Sequence, residues 1–561
     1  MPHPSESTVQ VRPDKHQPPL PVDQMILREN PDSEAIPMDV VFVGGGPAGL
    51  AGAIELARLV EKDNKEGGGL GEIEIGVLEK AGQLGEHSLS GAVVNPSPFL
   101  ELFPELDIKD FPFRRPVKKE SVYFLTENKF FRMPTPPTMK NRGNQIASIC
   151  EIVRWLGEKA EELGVNVFPG FPVSGLIVNE DESVGGVRTT ASGLDRDGQP
   201  GNSDYMPPMD ITARVTVLAE GTRGPLTQAF LEWQNIESEN PQIYALGVKE
   251  LWETKKPLDR VIHTMGWPLP GNSFGGTFMY PMEDNLVSLG LVVGLDYRDA
   301  RFDVHEVLQC MKLHPLFNSY LDNGEMVEWG AKTIPEGGYY SVPSQLHGSG
   351  ICIVGDSAGY VDVPSLKGIH YAMHSGILAA RTIFKALKNG DVSETGLRPY
   401  TDSAKASYIM KDLHKRRNFR LAFKRGFFGG SIRAGMMTVS GGRFPGNKIE
   451  VLEDIAEDRV LGSGGPVTQP DGKLTFSKTD SVYKAGNQTR DDIPSHLIPG
   501  TDVSPEVAEM YVHMCPAGVY EWDGESLTVN APNCVDCKAT DVLGPRWTPR
   551  EGASGPSYRR M

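Results

Sequence analysis

Residues 38–60 read MDVVFVGGGPAGLAGAIELARLV, an apolar, β-branched run that meets Gly44, Gly46 and Gly49 and then continues with helical periodicity. This is a G-x-G-x-x-G turn between a strand and a helix, the setting in which the pattern carries meaning. Gly44 permits the tight turn, Gly46 lets the backbone approach a pyrophosphate, and Gly49 lets the helix pack closely on the strand. The start of the helix offers unpaired N–H groups and the positive end of its dipole to phosphates. A second strand, EIEIGVLEK at 72–80, ends at Glu79, placed to accept hydrogen bonds from a ribose hydroxyl pair. The spacing from Gly49 exceeds the usual ~20 residues, and KDNKEGGGLGE at 62–72 reads as an inserted loop.

Two later strands, RVTVLAEGTRG at 214–224 and ICIVGDSAG at 351–359, end in small or acidic turns at Glu220 and Gly221 and at Gly355 and Asp356. Each alone is a strand and a turn. Their order after the glycine motif favours FAD over a nicotinamide cofactor, because such turns bring a carboxylate to the ribityl chain. Long insertions at 116–210 and 236–330 hold strand-like runs such as SVYFLTENKFFRM and NLVSLGLVVGLDY, which predict a second, sheet-containing domain over the flavin.

A chain of 561 residues exceeds one ordinary core, so two or three substructures are expected. A net charge of -17 opposes attraction to phosphate backbones, which argues against nucleic acid as a partner. No stretch approaches the ~18 apolar residues of a membrane-spanning helix. Residues 1–36, rich in proline and interrupted by acids, have neither a signal core nor a basic amphipathic helix and read as a disordered leader of a cytoplasmic protein.

Two segments interleave aromatic and basic residues. PVKKESVYFLTENKFFRMPTPPTM at 116–139 sets Phe130 and Phe131 beside Lys129 and Arg132; RRNFRLAFKRGFFGGSIRAGMM at 416–437 sets Phe423, Phe427 and Phe428 beside Arg420, Lys424 and Arg433. Such stretches suit either a monotopic contact with anionic lipid or a buried face with solvated charges at its edge. Of six cysteines, Cys150, Cys310 and Cys352 are scattered and read as small buried hydrophobes. Cys515 in CPAGVYEW and Cys534 and Cys537 in NCVDCKATD can converge on one iron–sulfur cluster. A zinc site and a metal-free C-x-x-C turn stay open beside it. The ferredoxin run would place another cysteine at 540, where this chain has Thr540.

From about Met38 to the terminal GPSYRRM the chain resembles the electron transfer flavoprotein–ubiquinone oxidoreductase family. The likeness is carried in order by VGGGPAGL, EKAGQLGEHSLSGAVV, LGVKELW, HTMGWPL, FGGTFMYP, LGLVVGLDY, VPSLKGIHYAMHSG, CPAGVYEW and NCVDCK. The resemblance implies an electron-transferring-flavoprotein dehydrogenase that is α/β and α+β in class. Its parts would be a Rossmann-like FAD domain, an inserted sheet-containing quinone-binding domain and a C-terminal ferredoxin-like iron–sulfur domain. It places the FAD domain at 37–115, 211–235 and 331–415, the quinone domain at 116–210 and 236–330, a membrane-surface segment at 416–440 and the iron–sulfur domain at 441–561. It further implies that Gly44, Gly46, Gly49 and Glu79 hold the adenosine half of FAD. Gly355 and Asp356 would hold the ribityl and phosphate region, with Lys367 and Gly368 near the isoalloxazine, and Gly275 and Gly276 would contact the quinone. Electron transfer flavoprotein and ubiquinone or menaquinone are the implied partners. The implied location is the cytoplasmic face of a bacterial inner membrane, with the two aromatic–basic segments against the lipid. The family's [4Fe-4S] cluster takes four cysteines. With Thr540 in the fourth place, Asp541 supplies the last ligand, or a [3Fe-4S] cluster forms, or the cluster is lost. A flavin monooxygenase or geranylgeranyl-type reductase is the enzymatic alternative, and a non-catalytic docking protein the other.

Overall fold

The computed structural model describes residues 9–201 and 204–561. The glycine motif joins the strand Ile36–Val43 to the helix Pro47–Lys65, at the centre of a nine-stranded sheet. Five strands of that sheet run parallel: Asn166–Pro169, Ile75–Glu79, Ile36–Val43, Asp210–Leu218 and Ile351–Ile353. Val40, Val41 and Phe42 are wholly buried, as expected of a parallel strand covered on both faces. Asp210–Leu218 serves two partners: its first residues pair antiparallel with Val184–Thr189 and its last pair parallel with Ile351–Ile353.

The helix Ile369–Asn389 packs on Pro47–Lys65. A Cβ on Gly376 would lie 2.1 Å from the carbonyl oxygen of Ala48, so glycine sets how closely the two helices approach. Above this layer lies a seven-stranded sheet in the order Glu325–Pro335, Tyr244–Glu253, Leu286–Gly294, Gly275–Pro281, Val261–Gly266, Glu120–Leu125 and Phe130–Met133. Neighbours in it are antiparallel, except that Val261–Gly266 and Glu120–Leu125 run parallel. The C-terminal part holds the helix Pro505–Met514, the hairpin Tyr520–Trp522 with Leu527–Val529, and Leu497–Ile498 paired with Arg546–Trp547. No described helix is long and apolar enough to cross a membrane.

Two expected boundaries change. The insertion 116–210 does not belong wholly to the upper sheet, because Asn166–Pro169, Val173–Val178 and Val184–Thr189 extend the nucleotide-binding sheet. Ile149–Glu162 is the helix preceding them, with Ile149, Ile152, Val153, Leu156 and Ala160 buried along one stripe. The expected leader is ordered from Val9. Gln10–Val11 pairs with Arg459–Val460, Ile26–Leu27 extends the nucleotide sheet beside Val173–Val178, and Val11, Met25 and Ile26 are buried. Apolar residues thinly spread among prolines therefore suffice to dock an extended chain. Residues 1–8 of that leader lie outside the described residues.

Candidate functional site

The glycine turn opens onto a cavity of about 380 Å³ between the two sheets. Gly44 has φ +117°, and a Cβ there would fall 2.3 Å from the carbonyl oxygen of Ala219. A Cβ on Gly49 would fall 2.1 Å from the carbonyl oxygen of Gly44, which is the close helix–strand packing expected. Around Gly46 a Cβ would meet nothing within 4 Å. That free space lies in front of a helix that starts with Pro47 and has no side-chain cap, so its first N–H groups await an anion. Glu79 lines the same cavity at the end of its strand, its two oxygens accepting from the backbone N–H groups of Gly45 and Ala81, both at 2.9 Å.

Further along, Gly355 has φ +68° and Asp356 lines the cavity. No hydrogen bond from a described donor reaches the Asp356 carboxyl. Burial raises it to about 6, against the opposing charge of Lys332. Lys367 donates to the carbonyl of Ser365 at 2.8 Å, and burial lowers it to about 8. Gly368 begins the helix Ile369–Asn389 beside it. An uncapped helix start, an open glycine and an unpartnered acid along one cavity fit a dinucleotide such as FAD. Gly221 and Glu220 both line the cavity, Glu220 with a second set of partners. Its carboxylate accepts from the N–H and hydroxyl of Thr227, both at 2.8 Å, and from the N–H of Leu226 at 3.3 Å, and so caps the helix Pro225–Trp233. Position in sequence missed Lys249, Lys332, Glu336, Phe278 and Tyr280, which line the cavity from the upper sheet and its edge.

Gly275 and Gly276 lie at the start of their strand. Cβ atoms there would approach the carbonyl oxygens of Val292 and Thr264 to 2.2 and 2.6 Å, so tight strand pairing already demands glycine at both. The preceding Phe274 packs on Phe423 at 5.0 Å, and the N–H of Phe427 donates to the carbonyl of Gly271 at 3.0 Å. The glycine pair thus adjoins the helix Phe427–Ser440, whose Phe428, Ile432, Met436 and Val439 are exposed at helical spacing on one stripe, Val439 at 91%. Phe130, Phe131 and Phe444 are exposed as well. Arg420 and Lys424 are not part of that surface. Arg420 is buried against Glu336 at 2.6 Å and Asp296 at 2.9 Å, and Lys424 reaches Asp296 at 2.8 Å and Glu457 at 2.5 Å.

Cys515 ends the helix Pro505–Met514, and Cys534 and Cys537 lie in the loop before the helix Ala539–Leu543. All three are buried. Desolvation raises their thiols, that of Cys534 to about 12. Backbone N–H groups also aim at each sulfur: Ala517 and Val519 at Cys515, Asp536 at Cys534 (3.4 Å) and Ala539 at Cys537. Asp536 and Lys538 hold φ of +52° and +70°, so the loop is bent tightly around Cys537. Among the described residues, the one group of candidate ligands gathered within 4.8 Å of one another is His496, Cys534 and Asp536. Three buried thiols with backbone N–H groups aimed at their sulfurs fit an iron–sulfur cluster.

Thr540 is buried, its hydroxyl 3.1 Å from that of Tyr520. Asp541 is committed elsewhere. One oxygen accepts from Arg223 at 2.8 Å and Gln228 at 3.2 Å, the other from the N–H of Trp547 at 3.1 Å and from Arg546 at 3.3 Å. The loop is also a wall of the flavin cavity. Asp536 and Lys538 line it, the N–H of Thr333 donates to the carbonyl of Cys537 at 2.9 Å, and Lys332 donates to that of Asp536 at 3.2 Å.

Residues 244–334 match a family model described as ETF-QO, ubiquinone-binding, and 472–559 one described as electron transfer flavoprotein-ubiquinone oxidoreductase, 4Fe-4S. The mitochondrial electron transfer flavoprotein-ubiquinone oxidoreductase of Oryza sativa subsp. japonica is 37% identical, covering 94% of each chain. That of Mus musculus is 36% identical over 93% of this chain and 89% of its own. Among solved structures, a geranylgeranyl bacteriochlorophyll reductase-like protein of Thermoplasma acidophilum shares the fold at TM-score 0.54 and 17% identity, covering 75% of this chain and 95% of its own. A myxobacterial FAD-dependent chondrochloren halogenase does so at TM-score 0.51 and 20% identity, with the same coverage.

Proposed function

The chain belongs to the electron transfer flavoprotein–ubiquinone oxidoreductase family, and on that footing we propose the residues by which it takes electrons from reduced electron transfer flavoprotein to a membrane quinone. The observation that carries the assignment is the shared wall: residues on both sides of Cys537 line the flavin cavity. When bound, FAD supplies the exchange between one-electron and two-electron chemistry, and the cluster supplies one-electron transfer. Gly44, Gly46, Gly49 and Glu79 hold the adenosine end of FAD, Gly355 and Asp356 its ribityl region, and Lys367 and Gly368 the ring end. Cys515, Cys534 and Cys537 bind the cluster. The commitment of Asp541 to Arg223 and Arg546 leaves the fourth corner to Thr540 or to water. A monooxygenase or a geranylgeranyl-type reductase would have no use for the cysteine loop.

The quinone, ubiquinone or menaquinone, enters at Gly275 and Gly276. The exposed stripe on Phe427–Ser440, with Phe130 and Phe131, supports monotopic seating on a membrane surface. We place that surface on the cytoplasmic side of a bacterial inner membrane. The test is to mix purified protein with reduced electron transfer flavoprotein and a short-chain quinone while following flavin absorbance and low-temperature EPR. Quinone-dependent reoxidation with an iron–sulfur signal is expected. A yellow protein that neither accepts electrons from the flavoprotein nor reduces quinone would leave only the docking role.

A further inference from the structure

The upper sheet carries a pair of titratable residues that none of the assignments above employs. Gly276, Phe278 and Tyr280 alternate onto one face of the strand Gly275–Pro281. Phe278 and Tyr280 line the cavity together with Val292, the strand partner of Gly276. Tyr280 is 3% exposed, and its hydroxyl lies 2.7 Å from Nε2 of His263, which is also buried. His263 pairs with Phe278 across adjoining strands, and Phe278 stacks on Tyr280 at 4.8 Å, so backbone register and ring packing both fix the pair. Burial keeps the imidazole neutral, lowering it to about 3 with help from the charge of Lys367, and raises the phenol.

Three ionisable residues that line the cavity from this sheet and its edge are tied to carbonyls or to a guanidinium. Lys249 donates to the carbonyl of Ser90 at 3.0 Å, Lys332 donates to that of Asp536, and Glu336 accepts from the guanidinium of Arg420. Tyr280 is instead backed by a side chain that can replace a lost proton.

We propose that Tyr280 donates a proton to the quinone as it is reduced, with His263 as the positioning residue behind it. The ring then advances from the glycine pair, past Phe278, to Tyr280. This rests on quinone being the acceptor. The quinone takes two electrons from the reduced cofactors and two protons. As the phenolic O–H of Tyr280 breaks, an O–H forms on one quinone oxygen. The phenolate recovers a proton from Nε2 of His263, and Nδ1 takes one from water. The imidazole is left as its Nδ1–H tautomer, the second quinone oxygen takes its proton from water, and no electron passes through the pair.

Tyr280→Phe removes one oxygen and should keep FAD and iron content and the rate of flavin reduction by electron transfer flavoprotein. Its kcat for quinone should fall about 10²-fold, with KM unchanged, as the loss of a general acid requires. His263→Gln keeps a hydrogen bond to Tyr280 without a relay and should lower kcat alone. Prereduced wild-type protein mixed with a short-chain quinone should react more slowly in D₂O than in H₂O, and this measurement decides the matter if Tyr280→Phe loses flavin. Wild-type kcat in Tyr280→Phe, or equal rates in the two solvents, overturns the proposal. Failure of the wild type to reduce quinone at all would instead overturn the functional assignment.

Discussion

Asp541 tests whether its carboxylate holds iron or holds two domains together. The side chain is 2% exposed and receives Arg223 and Arg546 from opposite sides, with Gln228 and the N–H of Trp547 completing its four acceptor positions. Arg223 lies in the FAD domain and is only 19% exposed, so Asp541→Ala leaves its guanidinium buried and facing no carboxylate. Breaking a buried pair by removing one partner costs about 3–5 kcal/mol. The low end applies, because Arg223 keeps the carbonyl oxygen of Asp541 at 2.7 Å and the ring face of Tyr244. Asp541→Asn keeps the shape and the hydrogen bonds at reduced strength and should cost about half as much. Urea unfolding of both variants, prepared anaerobically and assayed for iron and acid-labile sulfide, separates the roles. The expected result is a graded loss of stability, Ala worse than Asn, with wild-type iron per folded molecule in the Asn variant. Loss of iron from Asp541→Asn with an unchanged unfolding midpoint would refute the structural role and make Asp541 the fourth ligand.

Gly46→Val should purify without FAD yet fold normally, because its Cβ meets no protein atom and intrudes only on cofactor space; absorbance at 450 nm and circular dichroism check this. Asp356→Asn should weaken FAD binding but stabilise the flavin-free protein. An acid raised from 3.8 to about 6 loses roughly 3 kcal/mol of native stability as pH rises from below 4 to above 6, a dependence that thermal melting of the apo variant should no longer show. Replacing Phe428, Ile432 and Val439 by Ser should release the protein from anionic vesicles at unchanged flavin content; retention in a flotation assay would place the stripe against protein instead. Thr540→Cys should raise the iron content and convert an oxidised-state EPR signal into one seen on reduction, if the wild-type cluster has three irons.

The parts of the site that depend on backbone were open to reading from sequence, and those that depend on side-chain pairing across the fold were not. Gly44 and Gly49 announce themselves because a Cβ at either would strike a carbonyl oxygen a few residues or one strand away. Glu220 and Asp356 look alike, each an acid at a strand end. Both line the cavity, but the helix at Pro225 follows Glu220 directly and presents N–H groups to it, whereas no described donor reaches the Asp356 carboxyl. Arg420 and Lys424 read as lipid-facing in a basic, aromatic stretch, since their acidic partners Asp296, Glu336 and Glu457 are scattered along the chain. Tyr280 and His263 meet through strand register, which no local pattern encodes.

The loop of three cysteines is bent tightly around Cys537, with Asp536 and Lys538 both left-handed. Were the loop held open by metal alone, losing a thiolate would remove much of what bends it. Here the bend has other supports. Asp536 is held by Lys80 at 2.5 Å, Arg550 at 3.0 Å and the indole N–H of Trp547 at 3.1 Å, and Lys538 lies over the ring of Trp547. Cys537 is tied through its carbonyl to Thr333, and Asp541 to Arg223. The two left-handed residues are thus fixed by protein contacts as well as by any cluster, Asp536 through Lys80 and Lys332 of the body and Arg550 and Trp547 of its own domain, Lys538 through Trp547, which is the condition under which strained backbone persists. A site so anchored stays preorganised for three thiolates whatever occupies the fourth corner. It follows that iron lost to a chelator should return on reconstitution without refolding, and an apo-protein whose Trp547 environment collapsed on chelation would show that the metal, after all, bends the loop.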